Sequence, residues 1–504
     1  MYYKHALFDS NCVSATGIGR CRPVRSRRRR FSARRTALFL LLGVWVAPAA
    51  ALAQAAAKCG TANLGEGLTG APTTGLCSAG TPTPVRGDGP WTWQCQAPEA
   101  APDGCVAAPG QIVVETMPAH ANLLAIKQAI AAAKQYFDSS DPADRDTTVV
   151  LKFAAGIYDF SHDTSVDPQV SCTIPGACVG TKSIDVTGIA PGPQGRLIFY
   201  GAGHVNTVFQ FNPDQTDFFA DKARRISIIG LHLTQDRLEA SQGVVVNPAQ
   251  YPADWVVIDI QPGFPGMEPY PLGLFNPSTA VGNGKFLRRY VAASGACNID
   301  PTFAQLPYDT VTQDPTVPTR WWFHVTPGSL NIMPKGGDLI GIKSKPFLGQ
   351  AYYFAESTDI MFAEVVWTRS SRGVFSRGTK RALIYDSWIL PQRSAADPAI
   401  CMSSSAGGPQ IGEEGDPPTW GNLVDGLHAY NTGDDSIAVF NSGDPTGRFG
   451  TTVAHSFVTN SFARSVLLYK SPAPPNRVIR TETENCNAAP TARFSECLLE
   501  TDSL

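Results

Sequence analysis

The stretch Asn422–Phe440, NLVDGLHAYNTGDDSIAVF, holds two short strand-like runs that are separated by a turn. The break at Asn431-Thr432-Gly433 has the composition of a turn, and apolar residues recur on both sides of it. Two adjacent acids, Asp434 and Asp435, open the second run. The stretch therefore predicts a strand, a turn and a strand, with a pair of carboxylates where the second strand begins.

Three other segments repeat this pattern in the same phase. They begin at Thr358, Lys380 and Thr451, and each contains a strand, a turn and another strand. The period is roughly 20 to 40 residues, depending on loop insertions, which is typical of a stacked solenoid. Because no helical segment separates these strands, the repeats predict an all-β protein built as a parallel β-helix.

The register of these repeats resembles that of the pectate-lyase-like right-handed parallel β-helix superfamily. The resemblance covers about residues 115–485 and rests on a hydrophobic strand, Asn or Gly at the turn and GDDSIAV at the next strand. Within it, TGDDSIAV resembles the paired-aspartate motif of polygalacturonase-type glycoside hydrolases and of β-helical galactosidases. That motif implies cleavage of a glycosidic bond.

Two other motifs of the polygalacturonases differ in this chain. Their Asn-Thr-Asp has no counterpart one coil earlier, where GGPQIG places Gln410 near the matching position. Their Gly-His-Gly is replaced by Ala463-Arg464-Ser465. We therefore expect a specificity other than that of a galacturonan hydrolase.

Residues 1–53 have the features of a signal peptide. Arginines concentrate between residues 20 and 35, an apolar run extends from Ala37 to Val46, and Ala51-Leu52-Ala53 has the small residues of a cleavage site. An uncleaved anchor is the alternative, but the apolar run is shorter than the roughly 20 residues that a membrane span needs. We expect a secreted, periplasmic or cell-surface protein whose mature chain has no membrane span.

The charge of the chain argues against a nucleic-acid partner. Residues 1–53 hold 10 of the 41 Lys and Arg residues and 1 of the 43 Asp and Glu residues. The remaining chain therefore has 31 basic and 42 acidic residues, a formal charge of −11. A surface of that sign would repel a phosphate backbone.

Cysteine usage agrees with export, because ten of the twelve cysteines follow the cleavage site. Four of them lie in residues 54–108, which predict a small disulfide-stapled module resembling a Cys-containing module of bacterial surface proteins. Trp91 and Trp93 of this module would either stack on sugars or pack inside it. The remaining cysteines suggest three pairs, the last by elimination: Cys172 with Cys178, Cys486 with Cys497 and Cys297 with Cys401. Zinc binding is the alternative, but the chain has no tight CxxC pair.

Residues 112–504 are assigned to the β-helix domain. His120–Phe137 has apolar residues at 123, 126, 130 and 137, the spacing of an amphipathic helix, and a strand follows. In the resembling enzymes such a helix caps the N-terminal end of the solenoid, which otherwise exposes apolar side chains and strand edges. The segment of about residues 261–325 holds nine prolines and few apolar runs, and we expect it to form a long loop insertion that could wall a cleft.

Aligning the repeats by phase places Arg372, Asp435 and Arg464 at matching positions of successive or near-successive coils. Strands about 4.8 Å apart would stack these side chains into one ladder on the outer surface. In a functional interpretation, Asp434 and Asp435 are catalytic: one protonates the leaving oxygen of a glycosidic bond while another carboxylate activates water, and Arg464 and Lys470 hold an acidic sugar. In a structural interpretation, they cap backbone N–H groups and pair with neighbouring cations.

The candidate substrate-binding residues are Arg464, Lys470, Arg372 and His428. We expect a monomer that acts on a polysaccharide or glycan without a metal or another cofactor. Two alternatives stay open. A polysaccharide lyase would use Ca²⁺ on the aspartates and an Arg or Lys base on a uronic-acid polymer, whereas a surface adhesin would only bind glycans.

Overall fold

The computed structural model describes residues 57–97, 103–163, 165, 182–212, 215–236, 240–246, 252, 254–269, 273, 275, 285–291, 297–299, 306–325, 333–344, 350–369, 374–391, 401–404, 407–412, 417–440, 450–461, 464–469, 476–484 and 498–501. The described residues form β-strands and two helices, α1 (Leu123–Phe137) and α2 (Pro142–Arg145). Cys172, Cys178, Cys486 and Cys497 lie outside them.

Three parallel sheets form the body of the protein. The strands of sheet 1 are Ile112–Thr116, Thr148–Phe153, Arg196–Gly201, Arg224–Ile229, Thr358–Ala363, Lys380–Tyr385, Asn422–Asp425, Thr451–Ala454 and Arg477–Ile479. The strands of sheet 2 are Gly156–Asp159, Thr207–Phe211, His232–Gln235, Val366–Thr368, Trp388–Ile389, His428–Tyr430, Phe457–Thr459 and Glu482–Glu484. The strands of sheet 3 are Lys182–Asp185, Thr216–Asp221, Gln350–Ala355, Val374–Arg377, Gln410–Ile411, Ile437–Phe440, Val466–Tyr469 and Leu498–Thr501.

Each coil passes through sheets 1, 2 and 3 in turn, and each strand pairs in register with the equivalent strand of the next coil. Alternate side chains point inward, so Ile384, Val424 and Val453 stack in the interior with no solvent exposure. One apolar core continues through all the coils. The all-β, right-handed parallel β-helix predicted from the repeats is confirmed.

Helix α1 covers the N-terminal end of this core. The side chain of Asn122 accepts a hydrogen bond from the Ala125 N–H and caps the helix. Leu123, Ile126 and Ile130 are buried against the strands of the first coils. The predicted capping helix is therefore present.

A small module with its own disulfides precedes the coils. Its strands are Lys58–Cys59, Cys77–Ala79, Thr81–Pro82, Trp91–Gln96 and Asp103–Ala107. The disulfides Cys59–Cys105 and Cys77–Cys95 close it. Trp91 and Trp93 are 6% and 2% exposed, so of their two possible roles they have the packing one.

The module lies on the outer face of sheet 1. Its Val106 packs with Ile198, Tyr200 and Met361, which point outward from that sheet. The Tyr200 hydroxyl donates to the Trp93 carbonyl over 2.7 Å. A Cβ atom at Gly104 would lie 1.9 Å from the Tyr200 ring, so only glycine allows this approach.

An antiparallel barrel is inserted between sheet 2 and sheet 3 of one coil. Its strands are Ser241–Val245, Trp255–Ile260, Lys285–Val291, Asn298–Ile299, Leu306–Gln313, Arg320–Val325 and Leu339–Ser344. The strand Lys285–Val291 pairs with both Leu306–Gln313 and Leu339–Ser344, so six of the strands close on themselves. A second apolar core fills this barrel.

The barrel corrects one expectation from the sequence. A long loop was expected over about residues 261–325, whereas the structure places strands there and extends the inserted unit from 241 to 344. Its strands mix charged and apolar residues, as in Lys285–Val291, KFLRRYV, so they lack long apolar runs. Among the described prolines, Pro262, Pro265 and Pro269 follow one barrel strand, and Pro315 and Pro318 lie between two others.

Among the described residues, no helix is both long and apolar enough to cross a membrane.

Candidate functional site

The paired aspartates lie in the turn that leads from sheet 2 to sheet 3. Asn431 begins this turn with a left-handed backbone, φ 57°, which asparagine tolerates better than most residues. The Thr432 hydroxyl donates to the Asp434 carbonyl over 3.1 Å and lies 2.6 Å from the Ser436 hydroxyl. This buried polar network fixes the backbone that carries the two carboxylates.

Asp435 is bound to the next coil. Its Oδ1 accepts hydrogen bonds from the Arg464 backbone N–H at 2.9 Å and from the Arg464 guanidinium at 3.4 Å. Its side chain is only 13% exposed. Burial and the neighbouring charge of Asp434 raise the pKa of Asp435 to about 6, against the opposing influence of Arg464.

Asp434 pairs with a cation from the inserted barrel. The Lys343 ammonium lies 2.9 Å from Asp434 Oδ2 and also donates to the Gly433 carbonyl over 2.6 Å. The Lys343 side chain is 3% exposed and that of Asp434 is 37% exposed. Asp434 therefore neutralises a buried ammonium while part of its carboxylate still meets solvent.

The barrel is also fixed covalently beside this turn. The predicted disulfide Cys297–Cys401 is present and joins the residue before the barrel strand Asn298–Ile299 to the coils. The Asn431 amide donates to the Cys297 carbonyl at 2.8 Å and to the Cys401 carbonyl at 2.6 Å. The barrel thus positions one side of the aspartate turn.

The predicted ladder is found in part. Arg464 lies one coil beyond Asp435, as the phase alignment required. In the preceding coil Gln410 pairs with Ala438, three residues beyond Asp435. The residue of that coil that lies beside Asp435 is Gly407. Arg372 and Lys470 lie outside the described residues.

His428 lies in a row of rings on the outer face of sheet 2. Ring centroids are 4.7 Å apart from His204 to Trp388, 6.2 Å from Trp388 to His428 and 6.3 Å from His428 to Phe457. Tyr430 lies 5.6 Å from Phe457. All five rings are partly exposed. We call His204, Trp388, His428, Tyr430 and Phe457 the sheet-2 strip.

A second pair of carboxylates, Glu364 and Asp386, occupies the corner between sheets 1 and 2 in two successive coils. Both residues have left-handed backbones, with φ of 54° and 39°. Arg86 of the module forms an ion pair with Asp386. Burial and the charge of Asp386 raise the pKa of Glu364 to about 7, while Arg86 and a hydrogen bond from Thr83 oppose this.

The sequence contained a signal for this corner pair that the interpretation above did not use. AEVVW and YDSWI place an acid at the same offset before a sheet-2 strand in neighbouring repeats. Lys343 and Arg86 had no such signal, because their partners lie 91 and 300 residues away in sequence.

A cavity of about 580 Å³ lies elsewhere, beside the C-terminal end of α1, and neither Asp434 nor Asp435 lines it. Its lining includes Arg145, Arg224 and Arg225.

Comparison with known proteins shows similarity of fold only. No known family profile matches this sequence, and no curated protein sequence matches it. The catalytic domain of a GH87 α-1,3-glucanase in complex with nigerose is 11% identical with a TM-score of 0.35, over 78% of this chain and 41% of that chain. The Yersinia enterocolitica family 28 exopolygalacturonase is 11% identical with a TM-score of 0.20, over 79% and 71%.

The third similar structure is a pectin methylesterase variant in complex with a hexasaccharide, 10% identical with a TM-score of 0.27 over 71% and 74% of the two chains. The present chain spans about two fifths of the glucanase chain. Likenesses this distant say nothing about the chemistry of the present chain. Its three in-register parallel sheets show that the chain folds as a right-handed parallel β-helix.

Proposed function

We propose that this protein is a secreted glycoside hydrolase that cleaves a polysaccharide or glycan at the aspartate turn. One observation carries the proposal: the environments of Asp434 and Asp435 favour different protonation states. Asp435 has a pKa raised to about 6, whereas Asp434 forms an ion pair with the buried Lys343. A carboxyl group with a raised pKa beside a carboxylate that is paired with an ammonium is suited to act with it as acid and base.

The proposed chemistry follows from these environments. Asp435, protonated below about pH 6, donates its proton to the glycosidic oxygen as the C–O bond breaks. Asp434, ionised beside Lys343, accepts a proton from the water that attacks the anomeric carbon. Arg464, whose side chain is 43% exposed, can donate hydrogen bonds to substrate oxygens. Arg372, Lys470 and His428 remain proposed substrate-binding residues.

The contacts favour a hydrolase over a calcium-dependent lyase. Each aspartate already has a cation partner, Lys343 for Asp434 and Arg464 for Asp435. A Ca²⁺ ion prefers several free carboxylate oxygens, so it would have to displace these partners. An adhesin would not require a raised pKa on Asp435, and this favours an enzyme.

The proposal is tested by assaying polysaccharide cleavage with and without chelator. Asp435→Asn should lower the rate by about 10²- to 10⁴-fold, because the amide cannot donate the proton. Activity of the wild type should fall above about pH 6, where Asp435 loses its proton. Asp185→Asn is the matched control, since Asp185 lies on sheet 3, where its carboxylate pairs with Lys182 and accepts a hydrogen bond from the Thr187 N–H. Unsaturated products or loss of activity in chelator would indicate the lyase instead.

Export belongs to the same proposal. The three disulfides in the described part of the chain are typical of an oxidising compartment. We propose that residues 1–53 direct export and that the mature protein acts as a monomer. Mass spectrometry of the purified protein would locate the mature N-terminus, and a start well before residue 54 would contradict the assignment.

A further inference from the structure

The sheet-2 strip follows the axis of the coils. Trp388, His428 and Phe457 occupy the same register position in three successive coils, because Trp388 pairs with His428 and His428 with Phe457. Successive rings are therefore one coil apart, about 4.8 Å, and they form a continuous, partly exposed row on the outer face. A row of partly exposed rings along the axis suits a linear ligand that lies parallel to it.

The module and the barrel, the two units attached to the coils, both border this strip. On one side, Arg86 of the module binds Asp386, which lies two residues before Trp388. On the other side, the barrel carbonyl of Cys297 binds Asn431, which follows Tyr430. The outer face of sheet 2 thus lies between the two attachment points, while the outer face of sheet 1 is covered by the module.

The strip carries little charge near neutral pH. Burial lowers the pKa of both His204 and His428. A hydrogen bond to the Glu364 backbone opposes this shift in the pKa for His204, and the charge of Asp386 opposes it for His428. Both imidazoles are therefore neutral there. The adjacent Asp386 is paired with Arg86, and the pKa of Glu364 is raised to about 7, so Glu364 is only partly ionised near neutral pH.

We propose that the sheet-2 strip binds a neutral hexose polymer, with sugar rings stacked on Trp388 and Phe457 and sugar hydroxyls hydrogen-bonded to His204 and His428. Aromatic faces bind the apolar faces of sugar rings, and uncharged imidazoles can donate to or accept from hydroxyls. A uronate polymer would place a carboxylate on each ring beside the strip, where no free cation balances it among the described strip residues. This inference rests on the proposed function for its choice of a glycan and names the substrate class.

The test is calorimetric binding of linear hexasaccharides of glucose, of galactose and of mannose, compared with hexagalacturonate. At least one neutral hexasaccharide should bind more tightly than hexagalacturonate. Trp388→Ala should weaken that binding about tenfold, because a stacking surface is lost, and Trp388→Phe should restore most of it. Trp255→Ala, in the barrel and away from sheet 2, is the matched control and should bind as the wild type does.

The outcomes separate this inference from the catalytic proposal. Asp435→Asn should lose cleavage and keep binding; if it keeps both, the catalytic proposal fails and the strip survives. The strip assignment is overturned if hexagalacturonate binds best, if no hexasaccharide binds, or if Trp388→Ala binds like the wild type. It is also overturned if Trp388→Ala changes the oligomeric state instead of the sugar affinity, since the strip would then be an interface between copies.

Discussion

The module and the barrel are attached to the same coils in different ways. The barrel is joined by the Cys297–Cys401 disulfide and by the ion pair of the buried Lys343 with Asp434. The module has its disulfides inside itself, and it holds sheet 1 through an apolar patch and partly exposed ion pairs such as Arg86 with Asp386. One attachment is therefore covalent and buried, and the other is non-covalent and partly solvated.

This difference matters because each attachment ends on a carboxylate pair. At the barrel, Asp434 has a fixed cation, and its neighbour Asp435 has the raised pKa. At the module, Glu364 has the raised pKa, and the cation Arg86 comes from a unit with no covalent link at that point. Both carboxylate pairs thus have one acid with a raised pKa and one acid bound to a cation. The cation is held rigidly by the barrel in one pair and more weakly by the module in the other.

The largest expected effect is on the disulfide of the barrel. Replacing Cys297 and Cys401 by Ser removes a cross-link that spans 104 residues, and we expect the free energy of unfolding to fall by about 4 kcal/mol. Hydrogen exchange should show lost protection in the barrel strands and in the turn at Asn431. Unchanged exchange in these strands would mean that non-covalent contacts alone hold the barrel.

A smaller effect is expected for the buried ion pair. Asp434→Ala leaves the Lys343 ammonium buried beside the Gly433 carbonyl alone, which should cost about 3 kcal/mol in urea denaturation. Lys343→Met should cost less, because Asp434 is partly exposed and water can solvate it. The double variant should recover most of the loss, and simple additivity of the two single effects would contradict the pairing.

The corner pair should make stability depend on pH. Glu364 ionises near its ordinary value of 4.5 in the unfolded chain but near 7 in the folded protein. Between these values the folded state binds more protons, so stability should fall by roughly 2 kcal/mol as the pH rises through this window. Glu364→Gln should remove that part of the decline, which thermal unfolding across the pH range would measure. An unchanged slope in the variant would rule out Glu364 as its source.

The smallest effect is expected for the ion pairs of the module. Lys152→Ala removes the pair with Asp103 of the module, in which the two side chains are 42% and 29% exposed, and it should cost under about 1 kcal/mol. The loss should shrink further in high salt because solvent ions screen exposed charges. A cost as large as that of Asp434→Ala would show that both appendages are held with similar strength.

The coils could be predicted from the sequence because their residues interact with a regular offset. Ile384, Val424 and Val453 are one repeat apart, so the alternation of apolar residues in each repeat indicates the shared interior. The helix α1 was visible for the same reason, since Leu123, Ile126 and Ile130 follow a helical spacing. The barrel was not visible, because its strands pair across long connections and its apolar runs are short.

The candidate site was predictable only where it follows the repeat. Arg464 was placed beside Asp435 by its phase, and the contact is present. Lys343 reaches Asp434 from the barrel, and Arg86 reaches Asp386 from the module, so neither follows the period of the coils. The pKa values of Asp435 and Glu364 depend on burial, which no motif encodes.

The barrel begins and ends at one point of one coil. Its first strand, Ser241–Val245, pairs antiparallel with its last, Leu339–Ser344, so the chain leaves and re-enters the coil at adjacent positions. A unit with neighbouring ends can be removed, exchanged or gained in a single step while the winding of the solenoid continues. Evolution or an engineer could therefore replace this barrel with another compact unit and give the same scaffold a new edge beside sheet 2.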